Sequence, residues 1–404
     1  MSSRQPAIVF ALGAIALDAL SVGLIIPVVP QLVSSLANDD PRLASRMLSV
    51  MMSVFAIAQL FAAPILGGLS DRFGRRWVIL ISITGMAADY VMMGWAPRLG
   101  WLVLARLLAG LTAASVVSVN AYIADVTPPE RRTQMFGLVG AMMGGAFVLG
   151  PAMGGLLGAI SLRLPFWVSA GLCAANLLYG LFVLPESLPP ERRRPFDWGQ
   201  ANPFASVRLL MASSDLMRLG ASWFLTWFGM AAFPVAFLLS TQVRFGWASA
   251  QNGMAMALFG FSQVIVQAFA ARRVVAVVGE VRSAQIGYCC TAISALILAL
   301  ADHAWMIWAA SVVSGFGSLT MPAIRAMVSS MALANRQGEA QGVLSVTQGV
   351  AAIVAPLIAG EIFAQFSTHA VFYLPGAPFL LTAAVSCVAV WLLVGVKNRR
   401  VRHV

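Results

Sequence analysis

Apolar residues run along this chain in long continuous stretches, and the polar ones gather in short interruptions between them. Reading the stretches between charged interruptions predicts helices near 7–33, 47–69, 77–97, 100–122, 133–159 and 164–184. Six more follow near 216–240, 249–271, 283–301, 304–325, 340–363 and 371–395. Each is close to the roughly 20 residues that a helix needs to cross the hydrocarbon core. The runs do not alternate in the roughly ten-residue rhythm of transmembrane barrel strands. An all-α integral membrane protein of twelve transmembrane helices is expected, with too little chain left over for a sizeable soluble domain.

Composition agrees. Of 404 residues 60% are hydrophobic and 10% charged, and the mean hydropathy is +0.85, whereas a soluble domain carries about 25% charged residues. Cys173, Cys289, Cys290 and Cys387 all lie in apolar stretches without zinc or disulfide spacing, and read as small buried hydrophobes. The first stretch follows Arg4 as a secretory signal would. It is too long for one, contains Asp18, Pro27 and Pro30, and lacks a small-residue cleavage site, so a retained first helix is expected.

The net charge of +11 would suit a nucleic-acid partner if it formed one patch, but it does not. With loops assigned alternately to two sides, twenty Lys and Arg residues fall on one side and five on the other, Arg106 remaining inside a span. The majority includes Arg72, Arg75, Arg76, Arg131, Arg132, Arg192, Arg193, Arg194 and Arg208; the minority is Arg42, Arg46, Arg98, Arg163 and Arg244. By the positive-inside rule both termini are expected in the cytoplasm, and the location is the cell's inner or plasma membrane.

The one long polar connection, 185–215, contains the run from Pro189 to Pro195 and divides the chain into bundles 1–184 and 216–404. A shift of 205 residues superposes Gly137, Gly144, Gly150, Pro151 and Gly155 on Gly342, Gly349, Ala355, Pro356 and Gly360. It also brings Gly74 onto Gly279 and Arg131 onto Arg336. A common offset near half the chain length argues for duplication, and two six-span halves of like topology are parallel repeats.

Because helices in lipid gain little from hydrophobicity against one another, small residues mark where backbones approach. Gly150, Gly154 and Gly158 recur every four residues along one helix face, beside the kink-forming Pro151; the stripe suits close packing and also a hinge beside a pathway. Intramembrane charges are costlier, about 2.5–3.5 kcal/mol near a helix centre on insertion scales. Asp18 lies near the middle of the first span. Asp89 and Arg106 lie at similar depths in the third and fourth, where they could pair if those helices face each other. The alternatives for that pair are a structural ion bridge and proton or substrate handling. A lone carboxyl such as Asp18 is suited to proton coupling. Asn120, Tyr122 and Asp125 at the end of the fourth span, and Gln263 and Gln267 one turn apart in the eighth, are weaker candidates that would equally serve interhelical hydrogen bonds. His303, His369 and His403 form no cluster with carboxylates, and no nucleotide-phosphate loop is present, so a metalloprotease, any other intramembrane enzyme and an ATP-driven pump are disfavoured. No resident metal or cofactor is expected.

The turn after the second span reads Gly67-Gly68-Leu69-Ser70-Asp71-Arg72-Phe73-Gly74-Arg75-Arg76. It resembles the signature loop of the major facilitator superfamily at Gly67 or Gly68, Asp71, Arg72, Gly74, Arg75 and Arg76. The run from Gly144 to Gly155, with Gly150-Pro151 and Gly154-Gly155, is similar to the fifth-helix motif of that superfamily's drug/proton antiporters, and Arg106 with Gly110 to their fourth-helix motif. Leu17-Asp18-Ala19 through Pro30, Asp89-Tyr90, Ala121 to Asp125 and Gly155 to Leu162 resemble tetracycline efflux proteins.

That resemblance implies export of a drug-like molecule, a magnesium-tetracycline complex in the family, exchanged for protons by alternating access of two bundles. Asp71 and Arg75 would gate the cytoplasmic side, Asp18 and Asp89 would serve coupling or a cationic substrate, and Arg106 would be the fourth-helix basic group. The family's eighth-helix His corresponds to Gln263 and its ninth-helix Asp to Thr291, while Gln267 is retained. The expected partners are a small-molecule substrate, protons and the lipid bilayer, with the chain acting as a monomer. A metabolite transporter of the same fold, importers included, is the alternative.

Overall fold

The computed structural model describes residues 4–113, 115–196, 210, 213–331, 337–367 and 373–396. Arg208, Arg336, His369, His403 and the positive residues from Lys397 onward lie outside the described residues, as does most of the expected linker. The helices are α1 (Arg4–Ile25), α2 (Val29–Leu36), α3 (Pro41–Phe73), α4 (Arg75–Trp95), α5 (Leu99–Thr112), α6 (Ser115–Val126), α7 (Pro129–Ile160) and α8 (Leu164–Val183). They continue with α9 (Ser214–Phe245), α10 (Ser249–Ile265), α11 (Ala271–Val278), α12 (Glu280–Leu300), α13 (Ala304–Gly317), α14 (Thr320–Met331), α15 (Gln337–Phe366) and α16 (Ala377–Val394). No strand occurs among the described residues.

Each of the twelve expected segments coincides with one helix or an interrupted helix. Ten are long and apolar enough to cross a membrane on their own, and an eleventh is the pair α1 and α2, bent by 41°. The bend falls at Pro27 and Pro30: proline lacks the N–H of the helix ladder and drives the residue before it out of helical geometry. The segment expected at 100–122 is divided between α5 and α6, and α5 counts only as a shorter apolar helix. A π-helical turn, Val266–Ala270, joins α10 to α11.

The chain forms two compact units. The first comprises Met1–Asp39, Val54–Pro203 and Ala248–Ala257; the second comprises Asp40–Ser53, Phe204–Trp247 and Leu258–Val404. In the first, α1 packs on α7 and α8, and α4 on α5 and α8. In the second, α9 packs on α15 and α16, and α12 on α13 and α16. Within that unit Trp223, Tyr288, Met327, Leu344 and Leu393 form a core, closed by a bond from the Trp223 indole N–H to the Leu344 carbonyl at 2.9 Å. The start of α3 binds along α15 there. Ser45 and Ser53 donate to the carbonyls of Gly360 and Ile353, both at 2.7 Å, and Arg46 makes a two-pronged pair with Glu361 at 2.9 Å.

The duplication is visible in the helix boundaries. α4, α5 and α6 recur 205 residues on as α12, α13 and α14, residue for residue at both ends. Each copy opens on a glycine with positive φ, Gly74 at 109° and Gly279 at 82°, and each ends with an arginine on exposed helix carbonyls. Arg163 donates to Gly94 and Ala96, at 3.1 and 3.0 Å. Arg244 donates to Leu298 at 2.8 Å and also to Ala301.

Candidate functional site

The charged residues inside the spans concentrate in the first unit. Asp89 on α4 is fully buried and its Oδ2 contacts the Arg106 guanidinium of α5, whose side chain is 16% exposed. Small residues make this approach possible. Gly85 of α4 lies directly against Thr112 of α5, while on the other side of α5 a Cβ on Gly110 would come within 2.5 Å of the Phe55 carbonyl and 2.7 Å of Ala58, both on α3. The Phe55 ring sits 5.9 Å from the Arg106 guanidinium carbon, in cation–π range. The pair is incompletely satisfied, because Asp89 Oδ1 and Arg106 Nε are buried without a hydrogen-bond partner. Inside a protein a half-satisfied ion pair is poor glue, so its arrangement suits a group that changes partners better than a permanent strut.

Asp18 lies half-buried on α1, at a level where α8 is tied to α1 on both sides of it. Ser169 donates to the Ser21 carbonyl at 3.0 Å, and the Asn176 amide donates to the Ala14 carbonyl at 3.4 Å. Cys173 lies between them on α8, and Tyr90 of α4 is fully buried. α4 thus presents Asp89 to Arg106 and, one residue on, buries Tyr90. The Tyr90 hydroxyl and Asn176 Oδ1 have no hydrogen-bond partner. Tyr90 enters the sequence reading only as part of the Asp89-Tyr90 resemblance, and Asn176 does not enter it.

At the α3–α4 turn, the expected gate residues come together around Arg75. Its guanidinium pairs with Asp71 at 2.5 Å, one helical turn back, and with Asp125 at 3.3 Å, and also reaches the Ser70 hydroxyl at 3.3 Å. Arg76 instead donates to the Leu181 carbonyl at 2.7 Å, and Arg72 points outward over the Phe73 ring. Gly68 faces the Phe196 ring. The residue that organises this turn is one the sequence reading passed over. The Glu186 carboxylate accepts the backbone N–H groups of Arg75 and Arg76, at 2.8 and 3.3 Å, and those of Ser187 and Leu188, at 3.0 and 3.1 Å. It satisfies the open N-terminus of α4, where a negative charge also meets the positive end of the helix dipole. A Cβ on Gly74 would run into that carboxylate, so glycine is required there for space as well as for its φ. The available signal was that Glu186 is one of only 15 acidic residues in the chain and directly follows an apolar span.

The glycine stripe of α7 is a packing seam. Gly150 lies against Gly23 of α1, Gly154 against the Leu24 backbone, and Gly155 against the backbone of Ser249 and Gly253 of α10. The carbonyl of Pro151 also abuts Gly253. Asn120 lies on α6 with a buried, unpartnered Oδ1, and Tyr122 donates to the Pro185 carbonyl at 3.2 Å. In the second unit, Gln263 is half-buried on α10 and Gln267 is exposed on the π-helical turn. Thr291 turns inward to the Gly287 carbonyl at 3.0 Å. No group of His, Cys, Asp and Glu able to hold a metal ion occurs among the described residues.

A family model described as "Major Facilitator Superfamily" matches residues 11–248 and again 219–403. The chain belongs to the Major Facilitator Superfamily. The double match fits the repeat of α4–α6 as α12–α14, and makes the protein a multi-pass membrane transporter rather than an enzyme. Among relatives in the superfamily, the class C tetracycline resistance protein of Escherichia coli is 36% identical over 358 residues, 89% of this chain and 90% of that protein. The class B protein of Escherichia coli is 29% identical over 97% of this chain and 95% of its own length. Of solved superfamily structures, the human organic anion transporter MFSD10 (TETRAN) aligns with a TM-score of 0.71 at 22% identity, covering 97% of this chain and all of that one. A D323A mutant of the nucleoside transporter NupG aligns at 0.80 and 13%, covering 96% and 99%. At such identities these two structures speak to the fold alone.

Proposed function

We propose that this transporter exports an amphipathic, drug-like molecule of the tetracycline type across the cytoplasmic membrane in exchange for protons. The observation that carries the reading is the set of ionisable groups inside the first unit, the Asp89–Arg106 pair and Asp18, in a chain kin to tetracycline resistance proteins. The orientation follows the charge bias, with the α3–α4 turn on the cytoplasmic side.

In this reading Asp18 takes up and releases the proton. It is a half-buried carboxyl on α1, between the two bonds that tie α8 to that helix. Asp89 and Arg106 exchange their mutual contact for contacts to substrate as the transporter alternates between its two open states. The Asp71–Arg75–Asp125 cluster and Glu186 hold the cytoplasmic turn through that change. A substrate carrying magnesium would bring its own charge to the carboxylates, as cargo. Asn120, Gln263 and Gln267 supply neutral hydrogen bonds, Gln263 and Thr291 leaving the second unit without a titratable group at those positions.

The test is a susceptibility panel of tetracyclines, phenicols and cationic dyes in an efflux-deficient bacterial host, together with uptake into everted vesicles. The wild type is expected to protect against at least one compound and to drive proton-coupled uptake, and Asp18→Asn to abolish both. Unchanged resistance and uptake in Asp18→Asn would remove Asp18 from the mechanism. The neutral residues at 263 and 291 favour one further reading, a metabolite transporter with different coupling. Protection against no compound, with raised accumulation of a metabolite in intact cells, would select it.

A further inference from the structure

Three consecutive arginines lie against the α3–α4 turn with no role in the network described there. Arg192, Arg193 and Arg194 line a recess of about 620 Å³ together with Asp71, Arg75 and Glu191. Their backbone is fixed. The N–H groups of Arg192 and Arg193 close a short helical turn on Pro189 and Pro190, and that of Arg194 donates to the Asp71 carbonyl at 3.2 Å. Glu186 clamps the segment at its start and the Phe196 ring packs on Gly68 at its end. The side chains are another matter: among the described residues none of the three guanidiniums has an ion-pair or hydrogen-bond partner, while Arg75 is already engaged by Asp71 and Asp125. Three positive charges are thus held beside one another by main-chain bonds, outnumbering with Arg75 the carboxylates of Asp71 and Glu191 in a recess wide enough for a phosphate group.

The level of the recess argues for where that phosphate comes from. Phe73 and Trp77 flank the turn and are exposed, Trp77 to 56%, and Phe182 at the end of α8 is exposed to 84%. An exposed tryptophan at the end of a spanning helix marks the membrane–water boundary, and basic recesses at that level attract anionic headgroups. We propose that Arg192, Arg193 and Arg194 form a binding site for the phosphate of an anionic phospholipid in the adjacent leaflet. The site is independent of what the protein transports. It also differs from the topological role of positive loops, which needs charge on one side of the membrane but neither a fixed backbone nor a recess.

The experiment is native mass spectrometry of the full-length, detergent-purified chain titrated with phosphatidylglycerol or phosphatidylcholine, with inorganic phosphate as competitor. Wild type is expected to retain phosphatidylglycerol at least tenfold better than phosphatidylcholine. R192Q/R193Q/R194Q should lose that preference by roughly tenfold to a hundredfold, and R192K/R193K/R194K should keep most of it. Equal retention of the two lipids by wild type overturns the proposal, as does a glutamine variant with undiminished preference. Displacement of phosphatidylglycerol by millimolar inorganic phosphate would show a free-anion site and overturn the lipid assignment. The wild-type comparison does not depend on the variants folding, and the lysine variant separates loss of charge from disruption of the segment.

Discussion

α4 and α12 are the same helix made twice. Both have 21 residues, both open on a positive-φ glycine, and both end under an arginine that binds their last carbonyls. They differ in what they bury. The residue 205 positions after Asp89 is Ser294, and 205 after Arg106 is Ser311. Where the first copy joins α4 to α5 through an ion pair, the second joins α12 to α13 through the Ser294 hydroxyl on the Ala310 carbonyl at 2.9 Å. Ser311 bonds back to Ile307 at 2.8 Å and receives Ser262 of α10 on its carbonyl, also at 2.8 Å. Short hydroxyls that find carbonyls are ordinary membrane-helix packing. The second copy shows that the helix pair can be built without charge, so the scaffold does not require the costlier Asp89–Arg106 pair of the first. The contrast supports the proposed role of that pair in transport.

The largest effect is expected from splitting the pair. Asp89→Ala or Arg106→Ala strands one buried charge, which typically costs about 3–5 kcal/mol, and should sharply reduce folded protein in the membrane as read by size-exclusion yield. The sharper test makes the first copy imitate the second. Asp89→Ser with Arg106→Ser removes both charges and should recover most of the folded yield while leaving transport in everted vesicles abolished. If the double variant transports normally, the pair is structural and the contrast between the copies carries no function.

How much of this was legible beforehand follows the same division. The twelve segments were visible because a lipid-facing helix must be apolar along a whole span, and the offset of 205 because the glycines and prolines that shape the helices recur. Asp18, Asp89 and Arg106 stood out because charge inside a span is rare. What the sequence did not disclose is contact between distant positions. Glu186 lies 111 residues from Arg75, whose N–H it caps, and nothing in the intervening chain marks the meeting. The break between α5 and α6 was also hidden: the apolar pattern runs through it without a proline. The glycine stripe suits packing and a hinge alike in the sequence, and its direct contacts in the structure are packing contacts.

A middling effect is expected at the turn preceding α4. Gly74 combines a φ of 109° with a Cβ position filled by the Glu186 carboxylate. Gly74→Ala should therefore cost about 1–3 kcal/mol from the backbone alone, and more from displacing the cap. Glu186→Ala leaves the glycine in place and removes only the acceptor, a loss of about 1–2 kcal/mol on the scale of helix caps. Thermal melts of the two variants should fall in that order. An unchanged melt for Glu186→Ala would mean that water accepts from the α4 terminus as well as the carboxylate does.

The smallest effect is expected in the second copy. Ser294→Ala removes one hydroxyl bond to Ala310, and interhelical hydrogen bonds in membrane proteins average about 0.6 kcal/mol. The carbonyl left behind is still the acceptor of its own helix ladder, so no buried group is stranded, unlike the carboxylate or guanidinium exposed by the single changes at 89 and 106. Folded yield should stay within error of the wild type and vesicle transport should be retained. A Ser294→Ala variant that folds normally but transports at a tenth of the wild-type rate would break the comparison from the other side, by placing function at the uncharged copy as well.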